Sequence, residues 1–142
     1  ILEGATARLA AERADEQDLE TLASCLKRMS ERMDSIEAWS TADLEFHLAL
    51  ARATHNPFLS VLLEPLIGPL RGVIAQGYLV EGAVEGGLEA HEKILASIRT
   101  RNPDMAYDFL IKHLTDSEVR VMQSEKNRAA AQPHDTDEAA RR

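Results

Sequence analysis

Apolar residues recur along most of the chain at intervals of three and four, the spacing that places them on one side of an α-helix. Alternation of apolar and polar residues, the pattern of a half-buried strand, is not sustained anywhere. The pattern predicts helices at about 1–13, 15–33, 37–54, 57–78, 88–100 and 103–126. We therefore expect an all-α fold, a single antiparallel bundle of about six helices.

Helix-breaking residues support these boundaries. Asn56-Pro57 and Asn102-Pro103 each place a capping side chain before a proline, a combination that favours a helix start. Asp34-Ser35 separates the second helix from the third. Pro65 and Pro69 fall inside the fourth segment, so we expect a kink or a break there.

Two stretches lack the helical pattern. Gly82, Gly86 and Gly87 predict a loop before the fifth helix. Beyond residue 126, the sequence NRAAAQPHDTDEAARR has no apolar face, and we expect residues 127–142 to form a disordered tail. Residues 1–126 would then form a single ligand-binding and dimerisation domain.

The composition narrows the classes of protein. The 142 residues are 44% hydrophobic, which is enough to enclose the core of one domain. Because 24 acidic residues outnumber 16 basic ones, the net charge of −8 repels a phosphate backbone, and we expect no nucleic-acid binding by this chain alone. A single cysteine excludes an internal disulfide and favours a reducing, cytoplasmic compartment. We see no apolar run of about 18 residues and expect no membrane span.

Three histidines lie on the apolar faces of three different predicted helices: His47, His91 and His113. Asp43 precedes His47 by one helical turn, so both side chains project from one side. A bundle brings inward-facing side chains to a common centre, and three imidazoles with one carboxylate suit a borderline divalent metal. We predict a metal site with these four ligands, for zinc first, with nickel, manganese or iron as alternatives.

Each of these residues also has a structural interpretation. A single histidine on a core-facing stripe is more often a hydrogen-bonded core residue than a ligand. Asp43 could instead complete a capping box with Ser40. We expect His55 to be a solvated turn residue, and His134 lies in the predicted tail.

The segments around these residues resemble a known family, the FCD domain, which is the C-terminal effector-binding domain of the FadR subgroup of GntR-family transcription regulators. The resemblance covers about residues 1–122. It is carried by the opening helix LEGATARLAAERAD, by ADLEFHLALARATHNPFL, and by the histidine-bearing segments EAHEKILASI and AYDFLIKHL. It implies that Asp43, His47, His91 and His113 hold a divalent cation. It also implies a homodimer, a small organic acid whose carboxylate completes the metal coordination, and an N-terminal winged helix, absent here, through which DNA is bound.

We interpret the chain as the effector-sensing domain of a bacterial transcription regulator and not as an enzyme. Arg71 is a candidate second anchor for the effector carboxylate, and Asn56 a candidate effector contact. The structural alternatives are a solvated arginine and a helix cap. Two other functions stay open: a metal-dependent enzyme, which lacks an evident general base beside the site, and a metal-free structural dimerisation domain.

Overall fold

The computed structural model describes residues 2–131, and every regular element within that range is helical. Seven α-helices follow one another: α1 Leu2–Arg13, α2 Glu16–Glu31, α3 Ile36–Arg52, α4 Pro57–Leu63, α5 Ile67–Gly77, α6 Ala83–Arg99 and α7 Pro103–Ala131. They pack into a helical bundle, which confirms the predicted fold class.

The long helix α7 organises the packing, because it lies against α1, α5 and α6. On the other side, α2 packs against α3 and α6. The core between these helices contains Trp39, Phe46, Leu50, Ile94 and Leu110, all fully buried. This arrangement turns the inward faces of α3, α6 and α7 toward one another.

The fourth predicted segment is interrupted where its prolines suggested. A 3-10 turn at Glu64–Leu66 contains Pro65 and separates α4 from α5, and Pro69 lies in the first turn of α5. Proline lacks the amide hydrogen that a continuous helix would use at this point. The predicted break is therefore confirmed.

The start of α3 settles one open alternative. Ser35 caps this helix, because its side chain accepts a hydrogen bond from the Ala38 amide. Ser40 lies inside the helix, and its hydroxyl donates to the Ile36 carbonyl. A capping box of Ser40 and Asp43 is therefore wrong, and Asp43 is free for another role.

The predicted loop before the fifth helix is shorter than expected. Helix α6 begins at Ala83, so Gly86 and Gly87 are helical, and only Gly82 lies in the loop, with φ of 73°. Gly87 is placed by packing, since a Cβ atom there would lie 2.7 Å from the ring of Trp39. A glycine that permits close approach of two elements looks the same in sequence as a glycine in a loop.

The last helix extends past its predicted end. Helix α7 continues to Ala131, so the first residues of the predicted tail are helical. Residues 132–142, with His134, lie outside the described residues, and their disorder stays a prediction.

One segment is more apolar than we expected. The 21 residues Pro57–Gly77 are long and apolar enough to cross a membrane, and only 6% of the most apolar window is buried. Glu64 and Arg71 interrupt its apolar run, and the expectation of no membrane span stays a prediction. The exposed apolar side chains of this segment are Phe58, Val61, Leu62, Leu66 and Val73.

Adjacent glycines provide a test of the packing. We expect Gly87→Ala to lower the free energy of unfolding by about 1–3 kcal/mol, because the added methyl group would displace the buried ring of Trp39. Gly86→Ala is the matched control: its methyl group would meet only the mobile end of Arg120, so the variant should be neutral or up to about 1 kcal/mol more stable. Urea unfolding followed by circular dichroism measures both. Equal effects of the two substitutions would contradict the packing described for Gly87.

Candidate metal centre

Four predicted ligands meet in the interior of the bundle. Asp43 and His47 project from α3, His91 from α6 and His113 from α7. All four side chains are buried, and their exposed fractions range from 0% at His91 to 6% at His47. One ligand atom from each residue can be chosen so that all four lie within 4.8 Å of one another. The structure therefore brings together the carboxylate and all three imidazoles.

Distances within the cluster centre on one carboxylate oxygen. His91 Nε2 lies 2.9 Å from Asp43 Oδ1, and His47 Nε2 lies 4.0 Å from the same oxygen. The ring of His113 completes the group, 4.3 Å from the His91 ring centroid and 5.5 Å from that of His47. Two ligands of one metal ion lie at most about 4.2 Å apart when each bond is about 2.1 Å, so small side-chain movements would bring this set into range.

The backbone fixes the orientation of His91. Its Nδ1 lies 2.7 Å from the carbonyl oxygen of Gly87, one turn earlier in α6. Because a carbonyl can only accept, Nδ1 carries a proton, and Nε2 is the nitrogen that is directed into the cluster, toward Asp43 Oδ1. This is the arrangement that a metal-binding histidine generally requires.

Two residues that the sequence analysis missed surround the cluster. Glu3 of α1 lies with its Oε2 2.5 Å from His47 Nδ1, and the Tyr78 hydroxyl donates to Asp43 Oδ1 at 3.2 Å. Carboxylates and hydroxyls in such positions hold metal ligands in place. Neither residue carried a signal in the sequence, since each contacts the cluster from a different helix or loop.

The cluster strongly shifts the pKa values of its members. Burial raises the pKa of Asp43, but the nearby histidines, His91 first, lower it by more than burial raises it. The net pKa is therefore below the usual value, and the carboxylate stays ionised. Burial lowers the pKa of His47, but Glu3 and Asp43 outweigh this effect and raise it to about 9. The pKa of His113 is well below its usual value, first because of burial and then because of the other two histidines. The cluster thus contains an ionised carboxylate, a protonated His47 and a neutral His113.

Buried nitrogens in the cluster lack hydrogen bonds. His47 Nδ1, His91 Nε2 and His113 Nδ1 have no partner of acceptable geometry, although carboxylate oxygens lie near the first two. A buried polar atom left without a partner costs about 1–3 kcal/mol. This group of one carboxylate and three imidazoles could hold a metal ion, and its unpartnered nitrogens fit such a role.

An apolar cavity of about 190 Å³ adjoins the cluster. Asp43, His47, His113 and Tyr78 line its polar end. Aliphatic side chains form most of the remaining wall: Leu44, Leu63, Ile67, Leu70, Ile74 and Val121. A pocket with few polar groups and a mostly apolar wall is typical of small-molecule binding sites.

The two predicted effector contacts lie elsewhere. Arg71 is exposed on α5 and does not line this cavity. Asn56 caps α4, since its side-chain oxygen accepts a hydrogen bond from the Phe58 amide. The structure does not bring either residue to the cluster, and their roles in effector binding stay predictions without geometric support.

A second group of potential ligands lies on the surface. His55 Nε2 lies 2.9 Å from Asp18 Oδ2 and 4.0 Å from Asp15 Oδ2. The two aspartates already form the capping box of α2, and the side chain of His55 is half exposed. As predicted, His55 is a turn residue, with φ of 51°.

Known proteins similar to this chain are transcription regulators. The galactonate operon transcriptional repressor of Escherichia coli strain K12 is 30% identical over 122 residues, which are 85% of this chain and 53% of that protein. The HTH-type transcriptional regulator LutR of Bacillus subtilis strain 168 is 32% identical over 123 residues, 83% of this chain and 56% of LutR. The chain thus spans about half the length of the curated relatives it matches. These relatives are regulators and not enzymes, as the sequence analysis predicted for this chain.

A solved structure shares the fold of this chain, and a family model matches its sequence. The E. coli protein McbR/YncC has the same fold, with a TM-score of 0.74 and 18% identity over 87% of this chain and 60% of that one. The model of the FCD domain matches residues 1–116, which include all four residues of the buried cluster. The chain therefore belongs to the FCD domain family of GntR-type transcription regulators.

Proposed function

We propose that this chain is the effector-sensing domain of a bacterial, cytoplasmic transcription regulator, in which a divalent transition metal and a small organic acid bind side by side. The observation that carries the proposal is the buried group of Asp43, His47, His91 and His113 at the end of an apolar cavity. When bound, the metal would supply a fixed positive charge for the carboxylate of the effector. Zinc is our first choice, with nickel, manganese or iron as alternatives.

The charges around the cavity support a requirement for a cation. Glu3, Asp43 and Glu118 line the cavity, so its walls carry three carboxylates against the one imidazolium of His47. An acidic effector would be repelled by this set unless a divalent ion offset it. One relative is named for the galactonate operon, and galactonate is a hydroxylated organic acid. We extend this class of ligand, an organic acid, to the present chain.

Effector binding would act on the positions of the helices. The cavity is bounded by α1, α3, α4, α5 and α7, so a ligand that fills it contacts five helices. Such a ligand shifts the conformational equilibrium only as far as it prefers one helix arrangement over another. We propose that this shift changes DNA binding by an N-terminal winged-helix domain, which would occupy the half of the relatives that this chain does not match.

A metal-free structural bundle is the main alternative, with the histidines as core residues. The unpartnered nitrogens of His91 and His113 disfavour it, because a core histidine that serves packing alone should have its hydrogen bonds satisfied. Metal content decides between the two interpretations.

Metal removal tests the proposal directly. We expect dialysis against a chelator to lower the Tm by about 5–10 °C, because a ligand that binds only the folded state adds about 2.7 kcal/mol at 100 times its Kd. His91→Ala should reduce the metal content below about half an equivalent, measured by elemental analysis. The control His55→Ala should keep a full equivalent, since His55 lies outside the buried cluster. Unchanged Tm on chelation, or full metal content in His91→Ala with native helicity, would refute the metal site.

Proton release gives a second, independent test. His47 has a pKa raised to about 9 by Glu3 and Asp43, against opposing burial, and a metal ligand must be neutral. Near pH 7.5 we therefore expect about one proton released per metal bound, and less above about pH 9, measured by calorimetry in buffers of different ionisation enthalpy.

The same raised pKa sets the pH dependence of stability. In the metal-free domain, the contribution of His47 to the free energy of unfolding is fully present below about pH 6.5 and is lost as pH rises through about 9.

Glu3→Gln removes the partner of the imidazolium, so it should reduce proton release on metal binding at about pH 7.5. Equal proton release by Glu3→Gln and the wild type would contradict this role of Glu3.

We also propose that the domain forms a homodimer through the exposed apolar face of α4 and α5. This face consists of Phe58, Val61, Leu62, Leu66 and Val73, each at least 47% exposed. A contiguous group of five exposed apolar side chains is typical of an interaction surface. Gly68 and Gly72 lie on the same segment with open space beside them, which would allow a second helix to approach closely.

The charges of the segment favour a second copy over a membrane. Glu64 and Arg71 are separated by seven residues, so in an antiparallel two-fold pair Glu64 would face Arg71 of the partner subunit. In a bilayer, the same two charges would lie near the centre of the span, where Arg or Asp costs about 2.5–3.5 kcal/mol. Within one subunit, Glu64 forms an exposed ion pair with Arg52, which contributes little to stability. Glu64 can therefore leave Arg52 and pair with an arginine of the second copy at little cost.

Substitutions on this face test the dimer. We expect Leu62→Asp to weaken the dimer at least tenfold, because it places a charge within an apolar interface. Val119→Asp, on α7 and 60% exposed, should leave the dimer intact. Glu64→Arg and Arg71→Glu should each weaken it, and the double reversal should restore it. Sedimentation equilibrium measures the association constants, and failure of the double variant to recover would exclude the antiparallel pairing.

A further inference from the structure

The inward face of α7 carries two more buried polar atoms without partners, beyond His113. Ser117 Oγ and Arg120 Nη1 make no hydrogen bond within the described part of the chain. His113, Ser117 and Arg120 are spaced i, i+4 and i+7, so they follow one another along one side of the helix. An unpartnered buried charge is costlier than an unpartnered neutral group. Three such groups in a row indicate a polar ligand that extends along α7.

Residues 2–131 provide space for the Arg120 guanidinium but no counter-ion for it. A Cβ atom at position 86 would lie 2.7 Å from Arg120 Nη2, so the glycine at the start of α6 leaves room for the group. Arg120 also borders a cleft between α6 and α7, separate from the apolar cavity. The carboxylates of this cleft pair with lysines instead: Glu89 with Lys93 at 2.6 Å and Asp116 with Lys112 at 2.8 Å. The negative partner of Arg120 therefore has to come from outside this cleft.

Arg120 lies close enough to affect the metal cluster and its surroundings. A long side chain on a helix is directed toward the N-terminal end, here toward Ser117 and His113. The charge of Arg120 affects groups on both sides of the cluster. It lowers the pKa of His113, in addition to the larger effects of burial and of the other histidines. It also partly offsets the rise that burial and Asp43 cause in the pKa of Tyr78. Ser117 lines both the apolar cavity and the narrow space beside Tyr78 that Arg120 borders. A ligand could thus contact the cluster at one end and Arg120 at the other.

We propose that Ser117 and Arg120 form a second anion subsite, which binds the distal carboxylate of a dicarboxylic acid whose first carboxylate lies at the Asp43–His113 cluster. The inference rests on the proposed function and specifies its ligand class. A guanidinium can hold a carboxylate with two parallel hydrogen bonds, and the Ser117 hydroxyl can donate a third. Arg120 would then perform the anchoring role that the sequence suggested for the exposed Arg71.

Matched acids test the subsite on the full 142-residue chain loaded with zinc. The probes are succinate, glutarate and adipate, each compared by calorimetry with the monocarboxylate of equal chain length. We expect the preferred dicarboxylate to bind the wild type about 10- to 100-fold more tightly than its monocarboxylate, the range for a hydrogen-bonded charge pair. Arg120→Met should abolish this ratio without changing the zinc content, and the control Arg99→Met, at an exposed position at the end of α6, should keep it.

A second variant covers the case in which Arg120→Met does not fold. In Gly86→Ala, the new methyl group displaces the guanidinium, a movement that the flexible side chain makes at little cost. We expect native helicity and a lower dicarboxylate preference. Equal binding of both acid classes by the wild type, binding of neither, or a preference that survives both substitutions would overturn the subsite.

The same measurements separate this inference from the proposed function. If zinc and monocarboxylates bind but Arg120→Met changes nothing, the subsite is wrong and the metal-dependent sensor stands. If chelator-treated protein contains no metal and takes up none, yet prefers dicarboxylates in an Arg120-dependent way, the metal centre is wrong and the subsite stands.

Discussion

The placement of a carboxylate and three imidazoles inside an otherwise apolar bundle is the constraint on which the rest of this structure depends. Each group would lose hydration on burial, and the chain only partly replaces it. The Gly87 carbonyl orients His91, Glu3 contacts His47, and the Tyr78 hydroxyl donates to Asp43. These contacts tie α1, α3, α6 and the end of α5 to one centre, so the bundle is organised around polar atoms as well as around its core.

Helix periodicity was sufficient to predict the fold and to bring the four cluster residues together. His47, His91 and His113 lie on apolar stripes, and stripes in a bundle converge, so their proximity followed from local pattern alone. The boundaries that failed involve residues whose meaning depends on tertiary contacts. Gly86 and Gly87 had the composition of a loop, but both lie in α6, where a neighbouring side chain occupies the space beside each of them.

The surroundings of the cluster could not be predicted in the same way. Glu3 and Tyr78 reach it from α1 and from the residue after α5, and no spacing rule relates them to the histidines. Arg71 and Arg120 illustrate the same limit, since both are arginines on helices that border the cavity region. Only packing shows that Arg71 is exposed and that Arg120 has a buried nitrogen without a partner.

Gly87 has two structural roles: its carbonyl orients His91, and its lack of a side chain leaves space for the ring of Trp39. Backbone and side-chain requirements therefore coincide at a single position. Among diverged sequences with this fold, residues 39 and 87 would be expected to covary in size, a large ring facing a glycine or a smaller side chain facing a larger neighbour. A histidine that binds a ligand would in this way constrain how freely the core around it can evolve.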